Sequence, residues 1–168
     1  SSLSPCTSMT RYSTGYSGVS DGARADDGRA PMKKAVIIGI SGQVGPYLAR
    51  HLLSLGYEVH GTSRRAAPDA TLNLARLGIE PCVALHRLDP IDESRTRAVL
   101  ATVRPDEVYL LAGQSSVAHS FVRPQETIES TIGIVSTILG AQRTFAPELR
   151  LFFPSSSDCF GSTSMPVD

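Results

Sequence analysis

The stretch AVIIGISGQVG, residues 35–45, decides the fold of this chain. Its first four residues form a short apolar run, rich in β-branched side chains, that predicts a buried strand. Gly39 permits a tight turn, Gly42 lets a ligand approach the backbone, and Gly45 lets a following helix pack close to the strand. Leucines at positions 48, 52 and 55 then recur at helical spacing until Gly56, which is typical of a helix end. We therefore predict a strand, a glycine turn and a helix in direct succession.

Strands and helices alternate along the rest of the chain. Further strands are predicted at residues 57–60, 83–86, 108–111 and 151–153. Helices are predicted near residues 72–77, from the N-cap Asp92 to Pro105, and over residues 124–145. Such alternation favours parallel strands joined by right-handed crossovers that cover both faces of the sheet. We therefore predict an α/β fold for residues 32–168: a Rossmann-type, doubly wound parallel sheet with strand order 3-2-1-4-5.

The glycine turn indicates a dinucleotide site. A helix N-terminus presents free N–H groups and the positive end of its dipole to phosphates. We therefore predict that five residues of the turn bind the cofactor, namely Gly39, Gly42, Gln43, Val44 and Gly45. Their Gly-x-x-Gly-x-x-Gly spacing resembles that of short-chain dehydrogenases. A plain connecting turn is the alternative, because glycine-rich turns also join elements that bind nothing.

The residues after the second strand indicate which cofactor is bound. An acidic residue there would accept hydrogen bonds from the ribose hydroxyls of NAD. This chain instead has Arg64 and Arg65, whose planar guanidinium groups suit a 2′-phosphate, so we predict NADP. Two solvated arginines on a loop are the alternative. Asp89, just after the third strand, is predicted to contact the adenine.

Composition excludes several classes of function. Lysine plus arginine equal aspartate plus glutamate, at 16 each, so no net charge attracts nucleic acid or an anionic membrane. No apolar run is long enough to span a bilayer. The three cysteines are far apart in the sequence, which fits a reducing, cytoplasmic location, and the four histidines share no ligand spacing. We predict no metal site. Residues 1–31, rich in Ser and Gly, are predicted to be a disordered extension.

Several motifs resemble the GDP-mannose 4,6-dehydratase family, of the extended short-chain dehydrogenase/reductase superfamily. They are GQ at 42–43, YL at 47–48, GYEVHG at 56–61, RR at 64–65, PDEVY at 105–109, GQSSV at 113–117, SF at 120–121 with Pro124, and PSSSDCFG at 154–161. The glycines and the serine segment are shared across the superfamily. The GQ, YEVHG and RR elements are more specific to the dehydratases. The resemblance covers the chain from about residue 34 to its end.

The resemblance implies a reaction with tightly held NADP: oxidation at carbon 4 of the sugar of GDP-mannose, loss of water across carbons 5 and 6, and reduction at carbon 6. Ser156 matches the hydroxyl that binds the 4-oxygen, and Asp158 matches the carboxylate that acts as acid/base at carbons 5 and 6. The positions that match the nicotinamide-lining strand end are Leu111, Ala112 and Gly113. Gln114 and Ser115 match positions that face the cofactor ribose or the substrate. Family members usually pair through helices such as the one predicted at 124–145, so we expect a homo-oligomer.

Two departures from the family bear on the activity. Asp158 stands where the family usually has glutamate, which also suits a related nucleotide-sugar reductase or epimerase. The superfamily's Tyr-x-x-x-Lys pair is absent from the 168 residues, since no tyrosine has a lysine four positions later. We therefore expect this sequence to be a fragment that stops before the substrate-binding region and to be inactive alone. A catalytically silent NADP-binding module is the third hypothesis.

Overall fold

The computed structural model describes residues 32–65, 68–113 and 116–155. The extension predicted at residues 1–31 lies outside them and stays a prediction. The strands are β1 (Lys34–Ile38), β2 (Glu58–Ser63), β3 (Val83–Arg87), β4 (Glu107–Leu110) and β5 (Arg150–Phe152). The helices are α1 (Gly45–Ser54), α2 (Leu72–Arg76), α3 (Glu93–Val103), α4 (Val117–Val122), α5 (Pro124–Ile128) and α6 (Ile134–Phe145), with a π-helical turn (Glu129–Gly133) between the last two.

The described strands form one parallel sheet in the order β3-β2-β1-β4-β5, which confirms the predicted fold class and strand order. Strand β1 lies at the centre, where Ile38 is in register with Thr62 of β2 and with Leu110 of β4. The carboxyl ends of all strands therefore meet at one edge of the sheet. The chain reverses its winding direction beside β1, and ligands of doubly wound sheets bind in the crevice at such a switch point.

Successive side chains of β1 point to opposite faces of the sheet, so the hydrophobic core has one part on each face. Val36 and Ile38 pack with Ile134 and Ile138 of α6 on one face, where α3 also lies. On the other face Ile37 belongs to a second cluster, with residues of α1 and α2. All of these side chains are buried, because a sheet covered on both sides excludes water from both. Packing on both faces fixes where β1 ends and the glycine turn begins.

Some element boundaries differ from the predicted ones. Strand β2 continues to Ser63, because the backbones of Thr62 and Ser63 pair with β3 although their side chains are polar. The helix predicted over residues 124–145 is α5, the π-helical turn and α6 in succession. Helix α4 was not predicted, and His119 lies within it. This helix has six residues, too few for an apolar period to show in the sequence.

Helix α3 begins as predicted at Asp92. The Asp92 carboxylate accepts a hydrogen bond from the backbone N–H of Arg95 at 3.0 Å, which satisfies one of the free N–H groups of the first turn. The helix ends at Arg104, whose φ of 49° is in the left-handed region that closes many helices. None of the helices in the described part of the chain is long and apolar enough to cross a membrane.

A buried carboxylate, that of Glu107, connects β4 to β5 and to the residue before β2 at the amino edge of the sheet. The Tyr109 hydroxyl donates to Glu107 at 2.6 Å, the Tyr57 hydroxyl donates to it at 3.0 Å, and Arg150 of β5 forms an ion pair with it. Burial alone would raise the pKa of Glu107, but the two tyrosine hydrogen bonds and the charge of Arg150 hold this pKa below its ordinary value. Burial, together with Glu107, raises the pKa of Tyr109 to about 12.

Candidate nucleotide-binding site

The glycine turn leaves β1 and folds back onto the end of β2. Gly39 has a φ of +91°, and the N–H groups of Gly39 and Ile40 both donate to the Thr62 carbonyl, at 3.2 and 3.1 Å. A Cβ on Gly39 would lie 2.9 Å from the backbone nitrogen of Ala112, at the end of β4. Both the backbone conformation and the packing therefore require glycine at this position.

The other two glycines of the turn, Gly45 and Gly42, have different roles. A Cβ on Gly45 would lie 2.6 Å from the carbonyl oxygen of Ile40, so the start of α1 needs glycine to pack on the turn. A Cβ on Gly42 would meet only the Gly39 carbonyl oxygen, at 3.3 Å, among the non-neighbouring described residues. Gly42 is exposed, and its φ lies outside the left-handed region. Packing inside the protein therefore does not explain this glycine, and the close approach of a ligand stays the role predicted for it.

Helix α1 presents an uncapped N-terminus next to this turn. Its N-cap residue is Val44, whose side chain is 60% exposed and has no hydrogen-bonding atom. The first turn carries no acidic side chain. The backbone N–H groups of the first turn have no partner within the helix, and no side chain of the turn neutralises them. They therefore keep their attraction for an anion. Gln43 and Val44 are both exposed here, as the prediction that they bind the cofactor requires.

The turn forms one wall of a cavity of about 190 Å³ at the carboxyl edge of the sheet. Arg64 and Arg65 line it from the end of β2, and both side chains are exposed. The predicted cofactor residues that also line it are Gly39, Gly42, Leu111, Ala112 and Gly113. Ser41 and Ser63 line the same cavity, and their hydroxyl oxygens are 2.9 Å apart. Sequence reasoning assigned no role to either serine. The cavity thus combines backbone donors, hydroxyls and two cationic side chains, which suits phosphate groups.

A larger cavity of about 520 Å³ adjoins the first. The two share Arg64, Pro90, Ala112 and Gly113, so Arg64 stands at their junction while Arg65 lines only the smaller one. Asp89 lines the larger cavity, where one carboxylate oxygen accepts from the Ile91 N–H at 3.2 Å. This hydrogen bond orients the carboxylate, and its other oxygen can accept a hydrogen bond from a ligand.

The far wall of the larger cavity comes from α4, α5 and the π-helical turn. His119 lies 3.2 Å from Glu126, which is also paired with Arg123. The hydrogen bonds from Arg123 and His119 hold the pKa of Glu126 below its ordinary value. Glu129 and Ser130, in the π-helical turn, line the cavity too. Sequence reasoning missed this wall, although the three-residue spacing of Arg123 and Glu126, on either side of the helix-starting Pro124, was a usable signal.

Comparison with known proteins identifies the family. The sequence profile of the family described as GDP-mannose 4,6 dehydratase matches residues 36–167.

The chain belongs to the GDP-mannose 4,6-dehydratase family.

Members of the family from distant organisms resemble the chain. It is 38% identical over 146 residues to GDP-mannose 4,6 dehydratase 2 of Arabidopsis thaliana, covering 81% of this chain and 39% of that protein. It is 36% identical over 162 residues to GDP-mannose 4,6 dehydratase of Drosophila melanogaster, covering 92% of this chain and 40% of that protein. The chain therefore spans about two fifths of the length of the curated relatives it matches.

Solved structures support the fold. UDP-glucose 4-epimerase from Stenotrophomonas maltophila, solved with bound NAD and formylated UDP-arabinopyranose, superimposes with a TM-score of 0.70 and is 25% identical, covering 80% of this chain and 40% of that one. UDP-glucose 4-epimerase from Brucella ovis, solved with NAD, has a TM-score of 0.66 at 19% identity, covering 79% of this chain and 38% of that one. At this identity the second comparison shows the fold alone.

Four residues predicted from the GDP-mannose 4,6-dehydratase resemblance lie outside the described part of the chain. These are the catalytic Ser156 and Asp158 and the substrate-facing Gln114 and Ser115. Their roles stay predictions. Described residues stand next to them in the chain, since Gly113 lines both cavities and β5 ends at Phe152.

Two of the histidines contact each other, a contact that their separation of 26 residues does not indicate. His60 Nδ1 and His86 Nε2 lie 3.0 Å apart on neighbouring strands, and His60 Nε2 lies 2.9 Å from Glu58. Burial and then the neighbouring His60 lower the pKa of His86. Across residues 32–65, 68–113 and 116–155, no group of three or more His, Cys, Asp or Glu side chains is arranged to hold a metal ion.

Proposed function

We propose that this protein is an NADP-dependent sugar-nucleotide 4,6-dehydratase that converts GDP-mannose to GDP-4-keto-6-deoxymannose. The observation that carries the proposal is the junction of the two cavities in a member of this family. Arg64 lies at this junction, between the glycine turn, where Gly42 leaves the backbone accessible, and the larger cavity, which Asp89 lines. A dinucleotide needs such a continuous path, because its phosphates and its base must bind at the same time.

The described residues fit NADP in the following way. The backbone around Gly42 and the start of α1 would hold the pyrophosphate, with no side chain between ligand and N–H groups. Arg64 and Arg65 would bind the 2′-phosphate, and Asp89 would accept a hydrogen bond from the adenine amino group. The UDP-glucose 4-epimerase from Stenotrophomonas maltophila contains NAD, and we infer a nicotinamide dinucleotide in this chain by analogy. The two arginines favour NADP over NAD.

Leu111, Ala112 and Gly113 would line a bound nicotinamide, which would supply reversible hydride transfer between carbon 4 and carbon 6 of the sugar. Ser156 would donate a hydrogen bond to the 4-oxygen and stabilise the charge that develops there. Asp158 would remove the proton at carbon 5 and protonate the leaving 6-hydroxyl, so that water is lost. A Tyr-x-x-x-Lys pair, absent from these 168 residues, would supply the base for the 4-hydroxyl. We therefore expect turnover only from a protein that carries this pair.

Three further properties belong to the same proposal. Exposed apolar side chains on α4, α5 and the π-helical turn, namely Phe121, Ile128 and Ile132, support assembly of a homo-oligomer. The wide separation of the cysteines supports a cytoplasmic location. The balanced charge supports a small-molecule substrate and neither nucleic acid nor a membrane as partner.

The test is to incubate the intact protein with GDP-mannose and NADP and to follow the sugar nucleotide by mass spectrometry. We expect loss of one water molecule and a 4-keto product. Unchanged GDP-mannose would contradict the dehydratase.

Asp158 favours a second candidate, a nucleotide-sugar reductase or epimerase. Its side chain is one methylene shorter than the glutamate that the family usually has at this position, so the carboxylate would lie farther from carbon 5. Replacing Asp158 by Glu separates the two. A dehydratase would keep or gain dehydration, whereas an epimerase would interconvert sugar stereochemistry with no loss of mass. A silent NADP-binding module would bind the cofactor and change no sugar nucleotide.

A further inference from the structure

Ser63 connects the glycine turn to the arginine segment through its hydroxyl group. The Arg65 backbone N–H donates to Ser63 Oγ at 3.1 Å, and Ser63 Oγ lies 2.9 Å from Ser41 Oγ. Ser63 is only 4% exposed, while Ser41 is half-buried, and both line the smaller cavity beside Arg64 and Arg65. Two hydroxyls and a backbone donor therefore form a short chain that ends in the cavity.

Packing holds both serines in place. A Cβ on Gly61 would lie 2.5 Å from Ile40 Cδ1, so this glycine makes room for the fully buried Ile40. Ile40 anchors the turn one residue before Ser41. On the other side, the Leu88 N–H donates to the Ser63 carbonyl at 2.9 Å and fixes the end of β2. The contact between the two hydroxyls is thus set by the core and not by loose side chains.

The directions of these hydrogen bonds follow from the donors available. Each hydroxyl has one proton, and Ser63 already accepts the Arg65 N–H. If Ser63 donates its proton to Ser41, the proton of Ser41 is left to donate into the cavity. If Ser41 donates to Ser63, only lone pairs of Ser41 face the cavity. An ionised phosphate offers only acceptor oxygens, so a bound phosphate selects the first arrangement.

We propose that Ser63 is a positioning residue that sets the cofactor preference: its hydroxyl directs the Ser41 proton to the 2′-phosphate of NADP. This rests on the proposed function, because it takes NADP as the ligand of the cavity. Arg64 and Arg65 provide the charge for the phosphate. Ser63 provides the direction of the Ser41 hydroxyl proton.

The test is to measure the Kd of NADPH and of NADH for the intact protein and its variants by calorimetric titration. Ser63→Ala should weaken NADPH by up to about tenfold, because the Ser41 hydroxyl loses the donor that turns its proton towards the phosphate, and leave NADH within about twofold. Ser63→Thr keeps the hydroxyl and should restore the preference. Ser54→Ala, which removes an exposed serine hydroxyl at the end of α1, is the matched control and should change neither Kd. In a Ser41→Ala background, Ser63→Ala should have no further effect on NADPH.

Two results would overturn the inference. One is an equal loss for NADPH and NADH, which would make Ser63 a purely structural residue. The other is a full tenfold loss on adding Ser63→Ala to Ser41→Ala, which would show that the effect does not pass through Ser41. Suppose that the wild type prefers NADPH, that Arg64→Ala removes this preference, and that Ser63→Ala does not. The proposed cofactor then stands, and the role given to Ser63 fails alone. If the wild type shows no preference for NADPH, the proposed cofactor fails with it.

Discussion

Among substitutions in the glycine turn, Gly42→Ala should have a large effect on nucleotide affinity and a small effect on the stability of the fold. The new methyl group would lie 3.3 Å from the Gly39 carbonyl oxygen, so that neighbour must move by a few tenths of an ångström. The position needs no left-handed backbone. We therefore expect the free energy of unfolding to fall by less than about 1 kcal/mol, in the range of surface substitutions.

The same methyl group should strongly weaken nucleotide binding. Gly42 lines a cavity of about 190 Å³, where a pyrophosphate would need to approach the backbone closely. Inserting a methyl group into a well-packed contact costs about 1–3 kcal/mol, which corresponds to a loss of affinity of about 5- to 150-fold. The free energy of unfolding comes from urea denaturation, and the affinity comes from NADPH titration of the same preparation.

Two other glycines serve as controls. Gly45→Ala places its methyl group 2.6 Å from the Ile40 carbonyl oxygen, so the backbone must shift and stability should fall by at least about 1–3 kcal/mol. Gly133→Ala, at the end of the π-helical turn, has nothing within 4 Å among the described residues and should stabilise the helical backbone there by up to about 1 kcal/mol without affecting affinity. The reasoning is refuted if Gly42→Ala binds NADPH like the wild type, or if it destabilises the protein as much as Gly45→Ala.

Three further predictions concern stability. Asp92→Ala removes the cap of α3 and should lower the free energy of unfolding by about 1 kcal/mol in urea denaturation, whereas Asp92→Asn should not. Thr62→Val should raise the free energy of unfolding by about 1 kcal/mol, because the buried Thr62 Oγ1 has no hydrogen-bond partner among the described residues. A loss of stability would show that this oxygen does have a partner. The pKa of Glu107 is lowered in the folded protein, so its stabilising contribution is complete above its unfolded pKa of about 4.3 and is lost as the pH falls further. Urea midpoints of wild type and Glu107→Gln should therefore differ at pH 7 and converge as the pH falls through the lowered pKa of Glu107 in the folded protein.

The fold could be predicted because its signals are local. The run at residues 35–38 is apolar on both faces, as a central parallel strand requires, and Gly39 and Gly45 are needed by the backbone itself. The N-cap Asp92 acts on a N–H three residues away, within the reach of a sequence pattern. Strand order then follows from alternation and from the right-handed crossover.

Other features could not be predicted, because they depend on contacts between distant parts of the chain. The Ser41–Ser63 and His60–His86 contacts join residues 22 and 26 positions apart, and only the register of the strands and the seating of Ile40 bring them together. The π-helical turn is a local change in hydrogen bonding that leaves the apolar period of the helix nearly intact. Helix α4, which forms part of the far wall of the larger cavity, was missed because six residues are too few for an apolar period to show.

The most direct test of the cofactor assignment compares NADPH with NADH in one titration series on the intact protein and on an Arg64→Ala, Arg65→Ala double variant. We predict that the wild type binds NADPH more tightly and that the double variant loses most of this preference, with its affinity for NADH retained. Equal binding of both nucleotides by the wild type, or an unchanged preference in the double variant, would contradict the account.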